Sequence, residues 1–151
     1  MTWMKKKPKN LKPKVFFNAS VILAGLRSPV GGSGKILNWA SEGRIEGFTS
    51  EIILDEARRH SRKIGFSAAK LTKLVEKSLN IYPAPENLLE KYQKMVLDVG
   101  DIHLFTSSEE LKVDYLVTLD KKHVLSLSGD VKKFKIVSPG ELIEILSKQK
   151  S

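Results

Sequence analysis

The stretch that decides the fold is Lys14-Val15-Phe16-Phe17-Asn18-Ala19-Ser20-Val21-Ile22-Leu23-Ala24-Gly25-Leu26, in which the pattern of apolar residues changes at Asn18. Residues 15–17 are strand formers without a polar interruption, which is typical of a strand buried on both faces of a sheet. Asn18 and Ser20 are residue types that cap helices, and the apolar residues after them are spaced as in a helix. In open α/β folds, ligands bind at the edge where such strands turn into helices.

Strand and helix patterns alternate along the rest of the chain. Strand patterns follow at residues 44–49, 81–82, 112–120 and 134–137. Helix starts are predicted at Ser33 (for a helix over 35–42), at Thr49 or Ser50, at Ser67, at Asp101 and at Ser138. The alternation predicts the α/β class with a central parallel sheet.

Length and composition restrict the kind of protein. A chain of 151 residues with 41% hydrophobic residues fits one folded domain with a sizeable core. No apolar run approaches the ~18 residues that a membrane helix needs, and no apolar stretch follows the N-terminal lysines as in a signal peptide. The lack of cysteine excludes disulfides and thiolate metal sites. We therefore expect a cytoplasmic protein with no membrane contact.

The net charge of +9 is concentrated at the N-terminus. The first 14 residues contain no acid and six lysines, which are Lys5, Lys6, Lys7, Lys9, Lys12 and Lys14. Without them, 20 basic residues face 17 acidic ones, a balance of about +3. Two interpretations stay open: an electrostatic arm for nucleic acid, or a solvated tail that Pro8 and Pro13 keep from forming a helix. We predict a flexible basic tail over residues 1–13, a folded domain over 14–147 and a C-terminal tail over 148–151.

Four polar residues occupy one kind of position, at the end of a strand or the start of the helix after it. They are Asn18, Glu56, Asp101 and Asp120. Because the C-terminal ends of parallel strands lie along one edge of a sheet, these side chains are expected to converge. Clustered carboxylates repel one another, and their hard oxygen atoms suit Mg²⁺ or Mn²⁺. Such ions support phosphodiester cleavage.

The order and spacing of these segments resemble those of PIN domains, the nuclease family that includes the toxin halves of bacterial and archaeal VapBC toxin–antitoxin pairs. The best match is Asp98-Val99-Gly100-Asp101 at a helix start, followed by Val113-Asp114-Tyr115-Leu116-Val117-Thr118-Leu119-Asp120. The opening stretch, the segment from Ser50 to Glu56, and Val137-Ser138-Pro139 also match. The resemblance covers roughly residues 14–146.

The resemblance implies a three-layer α/β/α sandwich and cleavage of RNA by metal-activated water. Catalytic and metal-binding roles are carried over to Glu56, Asp101, Asp120 and Asn18, with Asp98 as a further metal ligand. Ser20 and Thr118 are expected to form hydrogen bonds to these ligands or to water bound to the metal. The implied partners are RNA, a cognate antitoxin protein and a second copy of the chain in a homodimer.

Asn18 departs from the family pattern, which has aspartate there, and Ser20 stands where the family usually has asparagine. An amide oxygen is a poorer ligand than a carboxylate for a cation that dehydrates reluctantly. Three explanations stay open: a naturally weakened site, a deliberate inactivating substitution, or compensation by a nearby acid such as Asp55. The alternative function is a catalytically degraded PIN-like module that binds RNA or a protein.

Basic residues near the predicted site are candidates for holding RNA. Lys5, Lys6 and Lys7 in the tail and Arg58, Arg59 and Arg62 on the helix after Glu56 are assigned this role. As a plain solvated helix face, the arginines would need no function. His60, His103 and His123 are too dispersed for a zinc site and are expected to be surface or helix-flank residues.

Overall fold

The computed structural model describes residues 11–149 of the chain. Most of the predicted basic tail, including the RNA-binding candidates Lys5, Lys6 and Lys7, lies outside this range. No helix within 11–149 combines the length and the apolar character needed to cross a membrane.

In the described part of the chain, five parallel strands form one sheet. They are β1 (Lys14–Phe17), β2 (Glu46–Ser50), β3 (Asn80–Tyr82), β4 (Tyr115–Val117) and β5 (Lys135–Val137), in the order β3-β2-β1-β4-β5. β1 is central, because Phe16 pairs with Phe48 of β2 on one side and with Leu116 of β4 on the other. The first apolar run of the sequence is therefore the centre of the sheet, and its residues 15–17 are fully buried.

Within residues 11–149, seven α-helices cover the sheet. They are α1 (Ala19–Arg27), α2 (Gly32–Ser41), α3 (Glu51–Lys63), α4 (Ala68–Ser78), α5 (Glu90–Met95), α6 (Val99–Glu110) and α7 (Pro139–Gln149). α1 to α4 pack against one another and α7 packs on α2, whereas α5 packs on α6. The chain moves from β1 through β2 to β3, and right-handed crossovers in this direction put α1 to α4 on one face of the sheet. It then passes from β3 back across the sheet to β4, so the same handedness puts α5 and α6 on the other face. The predicted α/β/α sandwich is confirmed.

Two predicted helix caps are wrong. α2 begins at Gly32 after Gly31, so Ser33 is a buried residue of the first turn and not its cap. This turn packs closely on the preceding loop, since a Cβ on Gly34 would lie 2.1 Å from the carbonyl oxygen of Pro29. α6 begins at Val99, because the cap is Asp98 and not Asp101.

Other predicted starts agree with the structure. Ser50 caps α3 and Ser67 caps α4. Ser138 and Glu141 form a reciprocal capping box at α7, in which each side chain accepts a hydrogen bond from the other's backbone N–H at 3.1 and 3.0 Å. α7 continues to Gln149, so Lys148 and Gln149 are helical and the predicted C-terminal tail over 148–151 is wrong at these two residues.

Candidate active site

A cleft of about 700 Å³ opens where helices α3 and α6 meet the segment that follows β4. Four carboxylates line this cleft: Glu56, Asp98, Asp101 and Asp120. Glu56 comes from α3, Asp98 and Asp101 from the start of α6, and Asp120 from the turn after β4. Residues far apart in sequence are thus brought to one edge of the sheet by the parallel topology.

The start of α6 presents two carboxylates in different ways. Asp98 is the cap, and its Oδ1 accepts hydrogen bonds from the backbone N–H groups of Gly100 at 2.8 Å and Asp101 at 3.4 Å. Asp101 lies in the first turn, where its carboxylate is not used for capping. Gly100 leaves room beside α3, since a Cβ there would lie 3.7 Å from Glu56 Oε1. Asp98, Asp101 and Glu56 therefore lie around the N-terminus of α6.

Electrostatic coupling between these acids appears in the ionisation of Asp101. The pKa of Asp101 is raised to about 6, chiefly by burial and then by the negative charges of Asp98, Asp120 and Glu56, while His123 opposes them. A carboxyl group resists ionisation in this way when it is buried beside other negative charges. The cleft is therefore a site at which binding of a cation would relieve repulsion.

Asp120 is held by the turn that it begins. Its Oδ1 accepts a hydrogen bond from the backbone N–H of His123 at 2.9 Å, and its Oδ2 lies 3.5 Å from His123 Nδ1. The backbone N–H of Asp120 donates to Thr118 Oγ1 at 3.1 Å. Thr118 thus positions the backbone of Asp120, and no hydrogen bond joins it to the carboxylate.

Asn18 is a buried helix cap that links two strand ends. Its Oδ1 accepts from the N–H of Ala19 at 2.8 Å, and its Nδ2 donates to Thr118 Oγ1 at 2.8 Å. Ser20 makes a parallel link, because its Oγ accepts from the backbone N–H of Leu119 at 3.1 Å. Asn18 does not line the acidic cleft. Asn18 and Ser20 therefore connect the start of α1 to the segment that carries Asp120.

The arginines assigned to RNA binding lie in different surroundings. Arg58 is tied to Asp55 at 3.0 Å and to Thr72 of α4 at 2.9 Å, so both Arg58 and Asp55 face away from the cleft. Asp55 is thus not placed to replace a carboxylate at position 18. Arg59 and Arg62 are exposed on α3.

Two histidines for which the sequence predicts only a surface position line the cleft: His60 and His123. Both are exposed, as expected, but they face the acids. The available signal was their spacing, since His60 is one helical turn after Glu56 and His123 is three residues after Asp120. Lys122 also lines the cleft and supplies a fixed positive charge.

The side chains of the cleft are of a type that binds a hard divalent cation, since four of them are carboxylates. Within residues 11–149, no three His, Asp or Glu side chains are arranged to hold one ion together. The acids share a cleft without forming a closed coordination site, so binding would draw their side chains together.

Comparison with known proteins agrees with this geometry. The family model of the PIN domain matches residues 14–122, and the chain belongs to this family. The fold is similar to that of VapBC2 from Rickettsia felis, solved bound to a DNA fragment from its promoter, with a TM-score of 0.63 at 12% identity over 83% of this chain and 98% of that one. It is also similar to VapC20 from Mycobacterium tuberculosis, a sarcin–ricin loop cleaving toxin, with a TM-score of 0.54 at 11% identity over 72% of this chain and 91% of that one. No curated protein sequence matched the chain.

Proposed function

We propose that this protein is a divalent-metal-dependent ribonuclease of the VapC toxin type. The observation that supports it best is the cleft at which Glu56, Asp98, Asp101 and Asp120 converge, with the pKa of Asp101 raised to about 6 by burial and by the other three acids. Membership of the PIN family and the VapC-like fold support the same class.

In the proposed mechanism, Glu56, Asp101 and Asp120 would hold Mg²⁺ or Mn²⁺, with Asp98 as a further ligand. When bound, such an ion would polarise the attacking water and stabilise the oxygen that leaves phosphorus. The water oxygen forms the new bond to phosphorus and loses a proton, while the bond from phosphorus to one ribose oxygen breaks and that oxygen takes up a proton. Lys122 contacts the phosphate, because an acidic cleft would otherwise repel RNA. Asn18, Ser20 and Thr118 hold the segment that carries Asp120 in place.

The test is metal-dependent cleavage of a labelled single-stranded RNA by the full chain, with EDTA as a blank. Glu56→Gln and Asp101→Asn should each abolish cleavage. Asp55→Asn is the matched control, because it removes one charge from the neighbouring position on α3 but outside the cleft. Absence of cleavage, or cleavage that survives Asp101→Asn, would contradict the proposal.

The second candidate is a degraded PIN domain that binds RNA or a protein without cutting. Asn18 favours it, since the family pattern has a carboxylate at this position. In addition, both the oxygen and the amino group of the Asn18 side chain are used in structural hydrogen bonds. RNA binding that is unchanged by Glu56→Gln, together with no cleavage in Mg²⁺ or Mn²⁺, would support this candidate.

We further propose a cognate antitoxin and a homodimer as partners, and cytoplasmic RNA as substrate. The antitoxin proposal rests on the likeness to a VapBC complex. Co-expression with the product of a neighbouring gene that encodes a small DNA-binding protein should give a complex on gel filtration. Light scattering of the isolated chain should give twice the mass of 16.9 kDa.

A further inference from the structure

His60 has a fixed tautomer in the acidic cleft. Its Nδ1 lies 3.0 Å from the backbone carbonyl oxygen of Glu56. A carbonyl oxygen only accepts hydrogen bonds, so Nδ1 carries the proton and Nε2 of the neutral ring carries a lone pair. No residue within 11–149 forms a hydrogen bond with Nε2. His60 therefore brings an unused nitrogen donor to the cleft that Glu56 also lines.

The spacing of Glu56 and His60 suits joint binding of one ion. Residues four apart on a helix are neighbours on its surface, with Cβ atoms about 5–6 Å apart. Helices use this spacing to offer two side chains to the same metal. Metal-binding histidines usually donate the other ring N–H to a carbonyl or carboxylate, which fixes the tautomer and the ring orientation. The hydrogen bond from His60 to Glu56 has this form.

We propose that His60 Nε2 is a nitrogen ligand of the divalent ion that Glu56 and the acids of α6 bind. This inference rests on the proposed metal-dependent function and adds a ligand of a different chemical type. An imidazole nitrogen is a poor partner for Mg²⁺ and a good one for transition metals. The protein should therefore prefer Mn²⁺ to Mg²⁺ more strongly than a site made of carboxylates alone.

The other histidines are placed differently. His123 directs its backbone N–H and its Nδ1 to the carboxylate of Asp120, at 2.9 and 3.5 Å. It therefore provides a positive or hydrogen-bonding neighbour for that acid. His103 of α6 does not line the cleft, and its Nδ1 is buried without a hydrogen-bond partner. His123→Gln and His103→Gln are thus suitable controls for His60→Gln.

The experiment is pulsed EPR of Mn²⁺ bound to the full chain at pH 7.5. Direct coordination by a histidine gives modulation from its ¹⁴N nucleus. We expect this signal in the wild type, in His123→Gln and in His103→Gln, and its loss in His60→Gln. Titration of free Mn²⁺ by its EPR signal should show about tenfold weaker binding for His60→Gln, with a much smaller change for Mg²⁺ measured by competition.

The outcomes separate this inference from the proposed function. Bound Mn²⁺ without ¹⁴N modulation, or modulation that survives His60→Gln, would overturn the role of His60 and leave the carboxylate site intact. No binding of Mn²⁺ at all would overturn both. A wild-type preference for Mn²⁺ that is unchanged in His60→Gln would also contradict the nitrogen ligand, and this readout does not depend on cleavage.

Discussion

Asn18 uses its two amide atoms for two different neighbours. The oxygen caps α1 through Ala19, so the amino group must face Thr118. A carboxylate of the same shape would keep the bond from Ala19, and the hydroxyl of Thr118 can rotate to donate to the second oxygen. Position 18 is therefore compatible with aspartate, and the amide is not required by the local hydrogen bonds.

We predict that Asn18→Asp retains the fold and increases Mn²⁺ affinity or the rate of RNA cleavage. The added negative charge would lie at the end of β1, next to Thr118, which adjoins Asp120. Isothermal titration with Mn²⁺ and the cleavage assay measure the two effects. Asn18→Ser is the control, since serine can cap α1 without adding charge. If neither quantity changes in Asn18→Asp, Asn18 serves only as a helix cap.

Asp101 makes the acidic cleft a source of instability in the absence of metal. Its pKa is raised from 3.8 to about 6, so between these pH values the folded protein binds more protons than the unfolded chain. The contribution of this group to stability is therefore fully present below pH 4 and is lost as the pH rises through about 6. Repulsion and burial of the ionised group are the cause.

Asp101→Asn is accordingly expected to raise the thermal unfolding midpoint by a few degrees at pH 7.5 in EDTA. At pH 4 the difference should vanish, because Asp101 of the wild type is then largely protonated. Addition of Mn²⁺ should raise the midpoint of the wild type far more than that of the variant. Differential scanning calorimetry measures all three effects. A variant that is less stable than the wild type at pH 7.5 would show that Asp101 stabilises the fold through contacts that outweigh the repulsion.

At the level of elements, the end of β4 is joined to the start of α1 by side-chain hydrogen bonds. Thr118 is fully buried, and its Oγ1 accepts from both Asn18 Nδ2 and the backbone of Asp120. Ser20 adds a bond to Leu119 from the first turn of α1. The position of Asp120 is thus determined by α1 as well as by its own strand.

Thr118→Val should destabilise the protein by about 1–3 kcal/mol, since two N–H donors lose their acceptor in a buried place. It should also lower cleavage through displacement of Asp120. Thr118→Ser keeps the hydroxyl and should retain most of the activity. Urea unfolding and the cleavage assay compare the two variants. Equal activity of the valine and serine variants would show that the hydroxyl does not position Asp120.

On the scale of the whole molecule, an acidic cleft is set in a basic protein with a net charge of +9. RNA must be attracted by charges outside the cleft, and residues 1–10 contain four lysines and no acid. Deletion of these residues should make the slope of log K for RNA binding against log salt concentration shallower by up to about 3. The reason is that each contact of a lysine with a phosphate of single-stranded RNA contributes ~0.7 to this slope. Fluorescence anisotropy at several salt concentrations measures it, and an unchanged slope would leave the tail without a role in binding.

Local patterns in the chain predicted most of the elements. Sequence patterns predicted the strand-to-helix change at Asn18 and the helix starts at Ser50, Ser67 and Ser138, because each depends on neighbours within one helical turn. Ser33 failed as a cap because the first turn of α2 packs closely on the loop at Pro29, a contact that no local pattern contains. At α6 two acids compete for one cap, and Asp98 takes it, which leaves the carboxylate of Asp101 available to the cleft.

The sequence by itself determined the α/β class, the burial of β1 on both faces of its sheet and the acids that gather at one edge, since hydrophobic periodicity and helix caps depend on local chemistry. Only the tertiary structure decided which side chains face the cleft. In the fold, Arg58 contacts Asp55 and Thr72, and buried Asn18 donates a hydrogen bond to Thr118. His60 and His123 line the cleft together with the acids. The physical reason is that orientation about a helix axis and distance across a sheet are set by packing between residues remote in sequence.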